Sequence, residues 1–316
     1  MTVTHHRFSE YSGPRILGTT PYSIQNSTDF WTNAGWLTSA VESGAKFGAI
    51  TMYDGTGCTA GLHQAVAVYP KELSSEDFAA ADDQGSLFAL LESLDRKDTQ
   101  NILEEFHKQG WTLKNGFLSY QSNGVRTVSG RTIHTKAGDL VFGADIRNEL
   151  TPLGGKVPSS GPQWEKSKSW ALRFHEAFSS PLSFSAQINF GKNHLVFSTK
   201  RRKLRVNKVL SSAWDLVFST SSTYTSPLSL CLSVLLSHSV NAPSAAFAIL
   251  ETAINTHSLE DDENFSRFLM RSLGTSTYGR WNFSLASGRY QRTRQHAMKL
   301  WPASLFDLSG IMPEKL

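Results

Sequence analysis

Short amphipathic segments, separated by Gly and Pro, make up most of this chain of 316 residues. Nineteen Phe and eight Trp are spread among these segments, and hydrophobic residues make up 40% of the sequence. The chain therefore has enough apolar surface to offset the entropy lost on ordering. No apolar run reaches the roughly eighteen residues that a membrane-spanning helix requires. These features predict a folded protein of one large domain or two closely packed ones.

Charge and cysteine content exclude several classes of protein. The 31 Lys and Arg against 27 Asp and Glu give a net charge of only +4, too small to indicate a nucleic-acid-binding protein. Cys58 and Cys231 are the only cysteines, which excludes a disulfide framework and a Cys-rich zinc module. The ten His show no metal-ligand spacing and no phosphate-binding Gly motif occurs, so no metal or other cofactor is expected. The N-terminus lacks the apolar core of a secretory signal peptide.

Hydrophobic periodicity predicts a mainly α-helical protein of the α+β class. The first helix is predicted to begin at the N-cap Asp29 and to end at Gly44. A strand over residues 47–53 and a helix over residues 62–68 should follow. Residues 1–150 are predicted to form one part of the protein, with an irregular β-rich insertion at 110–150, and residues 151–316 a helical part. Further helices are predicted at 87–94, 98–106 with Asp98 as N-cap, 164–178, 213–218, 228–236, 244–254, 263–273 and 290–300.

The segment from Val41 to Gln64 carries the residues best suited to chemistry. Glu42 falls in the last turn of the first predicted helix, where the helix dipole and nearby aromatic side chains favour a protonated carboxyl group. Asp54 lies in the turn Asp-Gly-Thr-Gly, where backbone N–H groups and water favour an ionised carboxylate. One protonated and one ionised carboxyl group are the pair that glycoside hydrolysis uses. Taken singly, each residue is also compatible with an ordinary helix end or turn.

Two parts of this segment resemble the lysozyme-like superfamily. Glu42-Ser43 with Gly61-Leu62-His63-Gln64 is similar to the E-S and G-L-M-Q signature of lytic transglycosylases, with His63 in place of Met. Residues 54–61, D-G-T-G-C-T-A-G, resemble the D-G-R-G-Y-T-x-G segment of chitosanases and a related segment of phage lysozyme-like proteins. The match covers about twenty-four residues. It implies a lysozyme-like helical domain with a small β-hairpin.

The resemblance also implies roles for individual residues. Glu42 matches the catalytic acid, Asp54 the second carboxylate and Thr59 the threonine that holds the attacking water. Gln64 matches a glutamine of the glycan cleft, and Tyr53 and His63 are expected to contact the sugar beside it.

The expected function is cleavage of β-1,4 bonds between amino sugars in peptidoglycan, as a muramidase or a lytic transglycosylase. Two alternatives stay open: an inactive lysozyme-like structural or binding protein of a phage particle, and a chitosanase-type enzyme. The expected partners are glycan strands and other virion proteins, and the expected location is the virion or the host cytoplasm with holin-type release.

A basic run of six cations lies between Lys200 and Lys208. Such a run most often forms a solvated face. Binding of cell-wall anions, lipid headgroups or nucleic acid is the functional alternative, although interleaved aromatic residues typical of single-strand binding are missing.

Overall fold

The structure, a computed structural model, describes residues 2–23, 27–53, 55–69, 84–128, 131–218, 226–275, 283, 287–307 and 311–312. The chain divides into two compact units. The first unit comprises Met1–Tyr22 and Lys46–Phe190, and the second comprises Ser23–Ala45 and Gly191–Leu316. Of the predicted parts, 1–150 and 151–316, the first predicted helix falls in the second unit and residues 151–190 fall in the first.

An antiparallel sheet of five strands in sequential order forms one layer of the first unit. A neighbouring pair in its register is Ile16 opposite Ile50, and both side chains are buried. The two N-terminal strands were not predicted from the sequence. The strands are β1 (Thr4–Phe8), β2 (Tyr11–Pro21), β3 (Lys46–Thr51), β4 (Thr59–Ala60) and β5 (Ala65–Val66).

Helices of the first unit pack on this sheet and on one another. The helix over Pro162–Ser179 packs on β2 and β3 and confirms the helix predicted at 164–178. Its buried Trp170, Phe174 and Phe178 repeat every four residues and form its core-facing side. Phe106 stacks on Trp170 with ring centroids 4.9 Å apart. The helices are α2 (Leu87–Ser93), α3 (Arg96–Lys108), α4 (Gly143–Leu150) and α5 (Pro162–Ser179), with single turns at Pro152–Gly155 and Pro181–Ser183.

Two small hairpins account for most of the predicted β-rich insertion. They are β6 (Trp111–Lys114) with β7 (Phe117–Tyr120), and β8 (Gly124–Val128) with β9 (Arg131–Thr135). The prediction is wrong for residues 143–150, which form α4. The N-cap of α3 is Asp95 and not the predicted Asp98, since the Asp95 carboxylate accepts the N–H of Lys97.

The second unit is a group of helices built around α1 (Phe30–Ser43). As predicted, Asp29 caps α1 by accepting the N–H of Thr32, and Gly44 ends it with left-handed φ. The helices predicted at 228–236 and 244–254 are also confirmed, and Pro243 begins the second of them. The remaining elements are α6 (Phe184–Arg201, which begins in the first unit), β10 (Lys203–Val206), β11 (Val209–Ser212), α7 (Pro227–Ser239), α8 (Pro243–Thr256), α9 (Asp262–Thr275) and α10 (Gly288–Ala297), with short turns at Trp214–Phe218 and Ser304–Asp307.

The predicted α+β class is confirmed. One predicted element in the motif segment is wrong, because residues 62–68 form no helix. Gly61 and Gln64 both have positive φ, and a turn through them reverses the chain so that β5 pairs with β4. Among the described residues, no helix is both long and apolar enough to cross a membrane.

Candidate active site

The predicted site residues fall in different parts of the structure. Glu42 belongs to the second unit, whereas Tyr53, Thr59, His63 and Gln64 belong to the first. Asp54 lies outside the described residues.

Glu42 lies in the last turn of α1, two residues before the left-handed Gly44 that ends the helix. Its side chain is 14% exposed. The guanidinium group of Arg289, on α10, donates to Glu42 Oε1 at 2.5 Å, and the amide of Asn241 donates to the same oxygen at 2.9 Å. Within the described part of the chain, Oε2 accepts no hydrogen bond. The carboxylate is thus fixed through one oxygen and has the other available.

Arg289 has no second positive charge beside it from the neighbouring His238. The Arg289 side chain is 12% exposed and also donates to the carbonyl oxygen of Ser237 on α7. Burial, and secondarily the charge of Arg289, lowers the pKa of His238 to about 4. The His238 imidazole is therefore neutral at neutral pH and adds no second positive charge beside Arg289.

In the first unit, Thr59 and Gln64 hold the β4–β5 hairpin together. Thr59 Oγ1 donates to Gln64 Oε1 at 2.8 Å. The Gln64 amide nitrogen donates to the carbonyl oxygens of Ala49 and Gly61, at 3.2 and 3.0 Å. The Gln64 amide group is thus bonded at both of its ends, and Thr59 uses its hydroxyl hydrogen within the hairpin. Thr59 can still accept a hydrogen bond from water, as the predicted role requires.

Gln187, at the start of α6, fixes the turn that carries the second half of the motif. Its side chain is 1% exposed. The side-chain Oε1 accepts the N–H of Leu62 at 2.9 Å, and its amide nitrogen donates to the carbonyl oxygen of Phe178. A Cβ on Gly61 would lie 2.8 Å from that same Oε1. Glycine is therefore required at residue 61 both by its left-handed backbone and by this close approach.

Tyr53 and His63 are the two other residues of the first unit that are expected to contact the sugar. The Tyr53 ring lies 4.4 Å from the His6 ring and 6.0 Å from the Arg15 guanidinium carbon. Both Tyr53 and His63 are partly exposed, so each has surface for a ligand. Cys58, between them in sequence, is fully buried.

Asn241, Gln187 and Arg289 are not among the site residues predicted from the sequence. Each acts on the motif from a distant part of the chain, so no local spacing marks it. The basic cluster that follows Gly288 was the one visible signal for Arg289. No group of three or more His, Cys, Asp or Glu suited to a metal ion occurs among the described residues.

Comparisons with protein-family models, characterised proteins and solved structures found no match to this chain.

Proposed function

We propose that this protein is a glycosidase that cleaves β-1,4 bonds between amino sugars of peptidoglycan, with Glu42 as its proton-transferring group. The observation that carries the proposal is the one-sided anchoring of the Glu42 carboxylate. Both donors, Arg289 and Asn241, bond Oε1. A proton can therefore bind and leave at Oε2 without breaking either hydrogen bond. General acid–base catalysis needs such a fixed carboxyl group with one oxygen facing the reacting atoms.

The lysozyme-like resemblance gives the β4–β5 hairpin of the first unit the sugar-binding role in this proposal. The Thr59–Gln64 hydrogen bond closes this turn. In this proposal, the hairpin of β4 and β5 takes the role of the small β-hairpin that the lysozyme-like resemblance implies. In this proposal Thr59 accepts from the attacking water, and Tyr53, His63 and Gln64 contact the sugar.

Two mechanisms follow from the role of Asp54. With Asp54 as base, water attacks the anomeric carbon and the product is a reducing sugar. With Glu42 acting first as acid and then as base, the hydroxyl group of the substrate attacks and an anhydro-sugar forms. The two products differ in mass by one water, so mass spectrometry of the released fragments distinguishes the mechanisms.

The decisive test is clearing of purified murein in a gel by the wild-type protein and by Glu42→Gln. We expect the wild type to clear the gel and the variant to lose about 10²–10⁴-fold in rate, the range typical of general acid–base groups. Glu149→Gln is the matched control. Glu149 is also a largely buried carboxylate, 10% exposed, that pairs with Lys166 at 2.7 Å and accepts from Trp170.

The control separates loss of chemistry from loss of stability. Clearing by Glu149→Gln but not by Glu42→Gln supports the assignment. Equal clearing by wild type and Glu42→Gln contradicts it. Release of product from chitosan but not from murein identifies a chitosanase instead.

A non-catalytic scaffold is the second candidate, and the Glu42–Arg289 pair itself favours it. The pair ties the end of α1 to α10 and, through Asn241, to the residues that follow α7. A carboxylate with this role needs no substrate. Absence of clearing by folded wild-type protein, on both murein and chitosan, would support the scaffold. Phage structural proteins are then the partners to test.

A further inference from the structure

The hairpin β10–β11 and the end of α6 concentrate positive charge on one small part of the second unit. Residues 197–212 contain six Lys or Arg and no acidic residue. Their charge exceeds the net charge of +4 of the whole chain, so the rest of the protein is slightly acidic. We call this segment the cationic hairpin region.

The position of some of these cations is explained by the end of α6. Lys200 and Arg201 lie in the last turn of α6, where positive charge complements the helix dipole. Lys200 also lies over the Trp214 ring at 4.7 Å. Neither explanation applies to Lys203, Arg205 and Lys208. They are exposed, and none is paired with a carboxylate of the described residues at ion-pair distance.

Large apolar side chains are exposed among these cations. Val209 and Leu210 are each 63% exposed, and Phe197 is 57% exposed. Arg205 and Leu210 are cross-strand partners, so their side chains leave the same face of the hairpin. Val209 follows the two-residue turn Asn207–Lys208, in which both residues have positive φ, as in a tight hairpin turn. Val209 points to the opposite face from Leu210, because neighbouring residues of a strand alternate between faces. The tip thus exposes an apolar side chain on each face, beside the cations Arg205 and Lys208.

The hairpin is held firmly in this position. The carboxylate of Glu251, on α8, accepts the backbone N–H of Arg205, and Asn255 bonds the backbone of Arg205 and of Asn207. These contacts occupy the outer edge of β10. They use backbone groups and leave the side chains of Lys203, Arg205 and Lys208 unconstrained by them.

We propose that the cationic hairpin region is a docking surface for an anionic lipid bilayer, in which Lys203, Arg205 and Lys208 contact headgroups and Val209 and Leu210 enter the interface. Charge complementarity identifies the partner as anionic. The exposed apolar tip distinguishes a lipid surface from a polyanion, because aliphatic side chains gain free energy at a bilayer interface and gain little against phosphates in water. This inference is independent of the proposed glycosidase activity.

The test is sedimentation of the full chain with vesicles of phosphatidylcholine, with and without phosphatidylglycerol. We expect binding only to the acidic vesicles. Replacing the three hairpin cations by Gln should weaken binding about a hundredfold, since each Lys or Arg near an anionic surface contributes roughly fivefold. The same charge change elsewhere is the control and should reduce binding less than about threefold, because those cations lie outside the hairpin. The control variant is Arg96→Gln, Lys97→Gln and Lys114→Gln, all at exposed positions.

A second variant, Val209→Ser with Leu210→Ser, separates lipid from polyanion. We expect this variant to lose about tenfold in vesicle binding, as partial burial of two aliphatic side chains predicts, and to bind a short DNA duplex like the wild type. Thermal unfolding checks that each variant is folded. Failure of the wild type to bind acidic vesicles overturns the proposal. So does unchanged vesicle binding by the tip variant, an outcome that would identify a general polyanion surface.

Discussion

The pair of Glu42 and Arg289 gives the most informative prediction, because catalytic and structural roles predict different results for the same substitutions. The side chains are 14% and 12% exposed and meet at 2.5 Å. Breaking a buried pair by removing one partner costs about 3–5 kcal/mol, because the other charge stays buried without a partner. In Glu42→Gln, Arg289 still reaches Ser237, and the new amide oxygen can still accept a hydrogen bond. We therefore expect Glu42→Gln to lower the free energy of unfolding by about 2–3 kcal/mol.

Substitution of the partner, Arg289, should lower the free energy of unfolding slightly more. Arg289→Gln leaves a carboxylate whose remaining donor among the described residues is Asn241, and we expect a loss of about 3–4 kcal/mol. The double variant places two neutral amides together and should lose less than the sum of the single variants, by about 2 kcal/mol. For comparison, Lys166 of the Glu149 pair is 42% exposed. The coupling in that pair should stay below about 1 kcal/mol, because solvent screens it.

Urea unfolding, followed by tryptophan fluorescence, measures all of these free energies. If the losses of the two single variants sum to the loss of the double variant within about 0.5 kcal/mol, the buried Glu42–Arg289 pair is refuted. The murein assay is then run without urea, at a temperature at which Glu42→Gln remains folded. A folded but inactive Glu42→Gln, beside an active Arg289→Gln, assigns proton transfer to Glu42 beyond its structural contact.

Three further predictions concern buried polar groups. Gln187→Leu should lower the free energy of unfolding by about 3 kcal/mol in urea, because it leaves the N–H of Leu62 buried and unbonded; a loss below about 1 kcal/mol would contradict the contact. The pKa of His238 is lowered to about 4 by burial, so the unfolded state binds more protons between that value and about 6.5. Stability should therefore fall, by up to about 3 kcal/mol, as the pH decreases through this window, and a His238→Gln variant that keeps the same pH profile would exclude this source. Burial raises the pKa of the Cys231 thiol, so iodoacetamide should label Cys231 only after unfolding, and rapid labelling of folded protein would disprove its burial.

The motif segment shows where prediction from local pattern succeeded and failed. Asp29, the apolar positions of α1 and Gly44 form a complete helix signal within one segment, and that helix is confirmed. Residues 62–68 are apolar as well, but the run is too short to distinguish a helix from a strand. The left-handed backbone of Gly61 and Gln64, and pairing with β4, decide in favour of the hairpin.

By itself, the sequence determined the α+β class, the helix at 164–178 and the position of Glu42 at a helix end, because each depends on residues close together in the chain. Tertiary structure alone decided which groups surround them. Arg289 is 247 residues from Glu42, and Gln187 is 125 residues from Leu62. No short-range pattern in the sequence predicts such pairings. They form only when packing of the apolar faces brings distant polar groups together, because buried polar groups need hydrogen-bond partners.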